Sequence, residues 1–255
     1  MAPGFRDLFS RDSAAYAKFR PRYPAQLFEW LATLPAGRRL AWDCATGNGQ
    51  AATMLARHFE RVVGTDASVE QLRAADAHPN LSYVVCLAEA SSLRSGIVDL
   101  VTVAQAFHWL DHAAFFAEVN RVAAPGAAVA IWGYARLIAS PEINRLIGRF
   151  HDDTVGPYWT PERRQVEEGY RAAVIPIAEV EPPPLAIEAS FTLPELLGYL
   201  GTWSAVARYR VARGHDPVEL VEPELRQAWG GEARRRIVWP LFVRAGRWLG
   251  SGRTG

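Results

Sequence analysis

"LAWDCATGNGQAA", Leu40 to Ala52, sets an apolar run against an acid, Asp43, follows it with two glycines, Gly47 and Gly49, and continues into alanine-rich sequence. That order is a strand, a loop of small residues and a helix, and such a loop lets main-chain N–H groups approach a ligand at the start of the helix. Taken alone, the stretch admits both a ligand loop and a turn that merely reverses the chain.

The unit repeats. "RVVGTD" forms a second strand ending at Asp66, 17 residues after Gly49, and Ser68 caps the helix "VEQLRAADA". With Ser68 serving the helix, Asp66 is placed to accept both hydroxyls of a ribose. "LSYVVCLAE" is a third strand, and "IVDLVTVAQAFHW" a fourth, apolar from Ile97 to Val103 as a strand covered on both faces should be. "DHAAFFAEVNRVA" is helical, and "PGAAVAIWGY" turns into a fifth strand. Upstream, "YPAQLFEWLATL" begins a helix at Pro24 that turns Leu27, Phe28, Leu31 and Leu34 to the core.

Beyond Tyr134 the rhythm changes. Two helices are expected around Glu142 to Asp153 and Pro161 to Arg171, then the break "EPPPL", a sixth strand in "LAIEASFTL", a helix or helix pair in "PELLGYLGTWSAVARYR" and a seventh strand in "RRIVWPLFVRAGR". The pattern predicts an α/β fold with a doubly wound, Rossmann-like, seven-stranded and mostly parallel sheet, and helical insertions forming a cap. A single domain is expected: an N-terminal lid and helix (1–35), a cofactor-binding core (36–134), cap insertions with the sixth strand (135–234), and a last strand and tail (235–255).

Composition narrows the partners. The 255 residues are 49% hydrophobic with nine Trp, enough for a sizeable core, and 28 Lys+Arg against 27 Asp+Glu give a net charge of +1. No run of like charge suggests nucleic acid or a membrane surface, so neither is expected as a partner. The N-terminus has no apolar targeting segment and no stretch reaches membrane-spanning length; a soluble, cytoplasmic protein is expected. Cys44 and Cys86 lie in or beside strand-like runs without metal-ligand spacing and read as buried free thiols, and no metal site is expected.

Two nucleotide ligands fit a pair of acids at successive strand ends. A dinucleotide needs the spacing G-x-G-x-x-G, yet Gly47 and Gly49 are followed by Gln50, Ala51 and Ala52, and Asp43 would repel a pyrophosphate. S-adenosylmethionine lacks phosphate and carries an ammonium and a sulfonium, whose cationic end Asp43 is placed to retain. The residues favour S-adenosylmethionine, with a dinucleotide-binding oxidoreductase or nucleotide sensor as the alternative.

The sequence also resembles class I S-adenosylmethionine-dependent methyltransferases, within the small-molecule group that includes trans-aconitate-type and cantharidin-type carboxyl methyltransferases. The resemblance is carried by "FSRDSAAYAKFRPRYP", "WDCATGNGQAA", "VVGTDAS", "LAEASSL", "VDLVTVAQAFHWLD", "VNRVAAPGAAVAIWGY", "LLGYLGTWSAVARYR" and "VWPLFVRAGR". It implies that Asp43 and Gly47 line the methionine end, Asp66 binds ribose, Ala67 flanks adenine, Ala88 and Glu89 meet its amino edge, and Gln105 sits under the sulfonium. Ala45 stands where the family loop has its first glycine, acceptable only at negative φ with room for Cβ. Ala127 replaces the second glycine of the usual "PGG" turn and suggests a slightly different turn there.

Around the cofactor, Tyr16, Arg20 and Tyr23 in "YAKFRPRYP" are expected to order over a ligand, Tyr16 on the cofactor and Tyr23 on the acceptor. Arg20 is a candidate partner for a carboxylate, the alternative being a surface arginine. Trp203, Arg208 and Tyr209 either face the mouth of the site or pack, and Arg208 is, with Arg20, the candidate cation for holding an acidic acceptor. His108 and Trp109 follow the fourth strand, where open α/β sheets place ligands; His108 could act as a base, bond a substrate, cap a helix or touch the cofactor. His58, His78, His112, His151 and His215 receive no role. With no evident catalytic dyad, methylation of a carboxylate oxygen on a small molecule is the favoured reaction. A phenol, an amine or a macromolecule is the alternative acceptor, although "QAFHW" replaces the NPPY-like amine site.

Overall fold

A computed structural model describes residues 19–250; Tyr16 lies outside the described residues. After helix α1 (Ala25–Leu31), which buries Leu27, Phe28 and Leu31, the strand–helix alternation runs β1 (Leu40–Cys44), α2 (Gln50–Leu55), β2 (Arg61–Asp66), α3 (Val69–Arg73), β3 (Leu81–Val85), β4 (Val98–Ala104), α4 (His112–Val122) and β5 (Ala123–Tyr134). The β1 residues are all buried, as are Val98–Val103 of β4, whereas β3 at the edge is half-exposed. Continuous burial is what a parallel strand covered on both faces requires.

The second half contains α5 (Pro141–Arg149), a π-helical turn at Phe150–Thr154, α6 (Arg163–Glu167), β6 (Ile177–Glu179), β7 (Ala186–Phe191), α7 (Leu193–Gly201), α8 (Ser204–Arg213), α9 (Val218–Trp229) and β8 (Arg235–Trp248). The main sheet order is β3-β2-β1-β4-β5-β8-β6, with β7 paired to β8 off this path. β1 to β5 are parallel; β8 runs antiparallel to β5, β6 and β7. The expected doubly wound, mostly parallel sheet is therefore present. Two elements are additions to it: the short strand β6 just before the proline run, and helix α9.

β8 serves two layers. Arg235–Pro240 pairs with β7, and Leu241–Arg247 then pairs with β5. Apolar side chains accordingly gather in three groups: one on each face of the sheet, and a third formed by α5, α7, α8 and α9 with Tyr134, Ile237 and Trp239. Burying side chains such as Leu196, Leu200 and Leu225 in that third group contributes roughly 1.5–3 kcal/mol each before entropy is counted. Cys44 is buried as expected, while Cys86 is only half-buried; both are free thiols. Among the described residues no helix is long and apolar enough to cross a membrane.

Candidate active site

β1 and β4 are neighbours, yet the chain leaves β1 outward to β2 and β3 before returning to β4, so the crevice at their C-terminal ends is the topological switch point. Asp43, one residue from the end of β1, pairs in register with Gly64 of β2 and Thr102 of β4. Its carboxylate is fully buried. Thr102 Oγ1 donates to Asp43 Oδ1 at 2.6 Å, and the Thr46 hydroxyl donates to Oδ2. Burial outweighs these hydroxyls, and the carboxyl titrates at about 6 instead of its ordinary 3.8.

The loop after β1 is held by the second acid. Gly47 N donates to Asp66 Oδ2 at 2.8 Å, and Ser68 N donates to Asp66 Oδ1 at 2.9 Å. Ser68 caps α3 by accepting from Gln71 N, as its position predicts. The two glycines differ. Gly47 has φ +57°, and a Cβ there would meet nothing nearer than Gln71 Oε1 at 3.8 Å, so the space above it is open to a ligand. At Gly49 a Cβ would fall 2.0 Å from the Tyr83 hydroxyl, so this glycine makes room for a side chain of the protein itself.

Ala45 corrects an expectation. Its φ is +52°, not negative, because the chain must turn sharply between the buried Cys44 and Thr46, whose N–H donates to the Thr65 carbonyl at 2.9 Å. An alanine in this region costs roughly 1–2 kcal/mol. Gln105, directly after β4, is also left-handed at φ +56°. Its Nε2 donates to the Tyr134 carbonyl at 2.9 Å, while Oε1 is buried without a hydrogen-bond partner among the described residues. Gly133 makes this pose possible, since a Cβ there would lie 2.7 Å from that oxygen.

The other cofactor candidates sit close by in sequence to these strand ends. Ala67 lies between Asp66 and Ser68, Ala88 is buried, and Glu89 Oε1 accepts from Asp111 N at 3.0 Å. An open space above Gly47, carboxylates at the ends of β1 and β2, and an orphaned amide oxygen after β4 suit a ligand with a ribose and a cationic amino-acid end. They do not suit a pyrophosphate, which Asp43 would repel.

Over the ends of β4 and β5 lies a second, aromatic region. Arg20 spans it: Nε donates to Thr202 Oγ1 at 3.1 Å, Nη1 to the Tyr134 hydroxyl at 3.1 Å and Nη2 to the Thr202 carbonyl at 3.3 Å, with its Cζ 5.5 Å from the Tyr199 ring centroid. Tyr23 packs edge-on to Trp132, 5.7 Å between centroids, and lies 6.5 Å from Tyr134. Trp203 is buried against Phe150, His151, Trp159 and Tyr199. Tyr209 packs on Tyr158, and Arg208 is half-buried on α8 with no hydrogen bond or ion pair among the described residues.

His108 is buried in a 3-10 turn, with Trp109 at 4.6 Å and its Nδ1 2.9 Å from the Tyr170 hydroxyl. Desolvation first, then the charges of Arg163 and His112, lower its pKa to about 3. Burial pushes the Tyr170 hydroxyl far up, so it keeps its proton near neutral pH and shares a hydrogen bond with Nδ1 whose direction follows the His108 tautomer. A residue that sequence reading passed over completes the region: Arg163 of α6, which packs against this turn and β5. Its signal was faint, a pair of arginines of which one is half-buried and the other exposed, with side-chain exposures of 20% at Arg163 and 83% at Arg164.

Comparison with known proteins places this geometry. Residues 42–131 match the family model described as "Methyltransferase domain". A solved structure named as a "Putative Type II Methyltransferase" of Anaeromyxobacter dehalogenans is 44% identical, covers 91% of this chain and 99% of its own, and superposes with a TM-score of 0.84. A "Putative methyltransferase" of Dictyostelium discoideum is 29% identical over 88% of this chain and 87% of its own. A "Probable S-adenosylmethionine-dependent methyltransferase" of Saccharomyces cerevisiae is 26% identical over 62% of this chain and 59% of its own. The chain belongs to the class I S-adenosylmethionine-dependent methyltransferases. It is an enzyme whose cofactor is S-adenosylmethionine.

Proposed function

We propose that this methyltransferase transfers the methyl group to a carboxylate oxygen of a small molecule, in the manner of the trans-aconitate and cantharidin-type group, with residues 135–234 acting as a cap over the acceptor. The supporting observation is the setting of His108: a buried ring with a pKa of about 3 and its Nδ1 engaged with Tyr170 is a weak base near neutral pH. An acceptor that needed deprotonation, such as a phenol or an ammonium, would find no base there, whereas a carboxylic acid is already ionised near neutral pH.

When bound, S-adenosylmethionine supplies a methyl group on a positively charged sulfur. The residues of the chain do the rest by placement. Asp43 retains the cationic amino-acid end, Asp66 with the Gly47 amide orders the ribose side, and Gln105, fixed on the Tyr134 carbonyl, separates the cofactor crevice from the aromatic region. Tyr134 touches both sides, through its carbonyl to Gln105 and its hydroxyl to Arg20. Excluding water there favours attack by a carboxylate on a cationic centre, because opposite charges cancel as the bond forms.

Methyl transfer from labelled cofactor across carboxylic acids, phenols and amines tests this. Turnover is expected on acids, with a rate independent of pH between about 6 and 9, where a histidine base would titrate. His108→Ala should lower kcat by less than about 100-fold, the smallest loss typical of removing a true general base. Activity confined to phenols or amines, with a larger loss in that variant, would contradict it.

A further inference from the structure

We propose that Arg163 holds the anionic group of the acceptor, and that Arg20, whose nitrogens are taken up by Thr202 and Tyr134, does not. That the anion is a carboxylate rests on the proposed function; that Arg163 is an anion subsite rests on its surroundings.

Arg163 opens α6, and α6 packs on the His108 turn and on β5, which sets this side chain between the cap and the C-terminal ends of the sheet. Its Nε is buried and makes no hydrogen bond among the described residues. Glu167 is the nearest carboxylate, but at 4.0 Å from Nε it is beyond hydrogen-bonding distance, and it lies closer to His151 Nε2, at 3.1 Å. A buried guanidinium donor without an acceptor is costly, and a fold that keeps one has a use for it elsewhere than in its own packing.

The guanidinium is also held in orientation. Its Cζ lies 4.9 Å from the Trp159 ring centroid, and Trp159 is wedged between His151 at 4.9 Å and Trp203 at 5.6 Å. A guanidinium held over an indole keeps its fork in place for a planar carboxylate. The charge of Arg163 acts on His108 and Tyr170 on one side, and it interacts with Arg20, Tyr134 and Tyr199 on the other. The region between these groups sets the guanidiniums of Arg163 and Arg20 against the single carboxylate of Glu167, which His151 shares, and the remaining positive charge attracts an anion. Arg20 differs in kind, since all three of its nitrogens already donate to Thr202 and Tyr134. It ties the stretch just before α1 to β5 and to the α7–α8 junction.

The test measures thermal protection of the protein saturated with S-adenosylhomocysteine, at constant ionic strength, by benzoate and succinate, with benzamide and succinamide as neutral controls. The acids should raise the melting temperature and the amides should not. Arg163→Gln should raise the concentration for half-maximal protection by about 30-fold or more, Arg163→Lys by about tenfold, and Arg20→Gln by clearly less than Arg163→Gln. Substitution of the exposed Arg94, Arg94→Gln, should leave it unchanged. Should Arg163→Gln fail to fold, Arg163→Lys is read in the same way. No protection by acids, an unchanged midpoint in the Arg163 variants, or a larger loss in Arg20→Gln would overturn the assignment. If the Arg163 variants lose protection while no carboxylic acid is ever methylated, the subsite stands and the acceptor class proposed above falls. If acids are methylated with an unchanged KM in the Arg163 variants, the reverse holds.

Discussion

Asp43 and His108 carry opposite displacements, and both trace to burial. The Asp43 carboxyl is raised to about 6, so between its unfolded value near 4 and 6 the folded state holds an extra proton, and stability falls as pH rises through that window. The His108 ring is lowered to about 3, so between 3 and 6.5 the folded state lacks a proton that the unfolded state holds, and stability rises with pH there. The two slopes, each about 1.4 kcal/mol per pH unit, nearly cancel between about pH 4 and 6. Asp43→Asn is expected to unmask the His108 slope: relative to the wild type, the cofactor-free variant gains up to roughly 3 kcal/mol of stability at pH 7 and loses that gain as pH falls to 4. It should also bind S-adenosylmethionine weakly, and without the tenfold loss per pH unit expected of the wild type below about 6. Denaturant melts across that pH range check the first, and calorimetric titration the second. The acids were legible in the sequence because each ends an apolar run. The state of His108 was not, because it depends on Tyr170, 62 residues away, and the burial of Arg163 was hidden in a polar, arginine-paired stretch.

At the level of elements, the loop joining β1 to α2 has one position that suits its backbone poorly and one on which the ligand depends. Ala45→Gly should leave the melting temperature unchanged or raise it, against the usual cost of about 0.5–1 kcal/mol for glycine in place of alanine, because the left-handed φ of +52° is relieved. Gly47→Val should remove stabilisation by S-adenosylhomocysteine, since it forces a β-branched residue to φ +57° and fills the open space above the loop. Thermal melts with and without S-adenosylhomocysteine decide both; a Gly47→Val protein stabilised normally would make the loop a plain turn. The strands were readable because burial on both faces writes an unbroken apolar run. β6 was not, since three residues beside a proline run carry no period, and α9, with Pro223 inside it, presents a broken pattern.

Across the whole molecule, a sheet with apolar layers on both faces presents two acids and a glutamine at its crevice, and a third apolar group built largely from late helices sets Tyr199 and Trp159 against Arg20 and Arg163. The first part followed from local sequence, because the ends of β1, β2 and β4 fall within one continuous run of strand–helix units. The second could not, because Arg20, Tyr134, Arg163, Tyr199 and Thr202 meet only through tertiary packing. The most direct measurement is calorimetric titration of the wild type and Asp66→Ala with S-adenosylhomocysteine and with NADH. The wild type should bind S-adenosylhomocysteine and not NADH, and Asp66→Ala should lose roughly 2–4 kcal/mol of that affinity while remaining folded. Binding of NADH in preference, or an Asp66→Ala protein with undiminished affinity for S-adenosylhomocysteine, would contradict the assignment of the crevice.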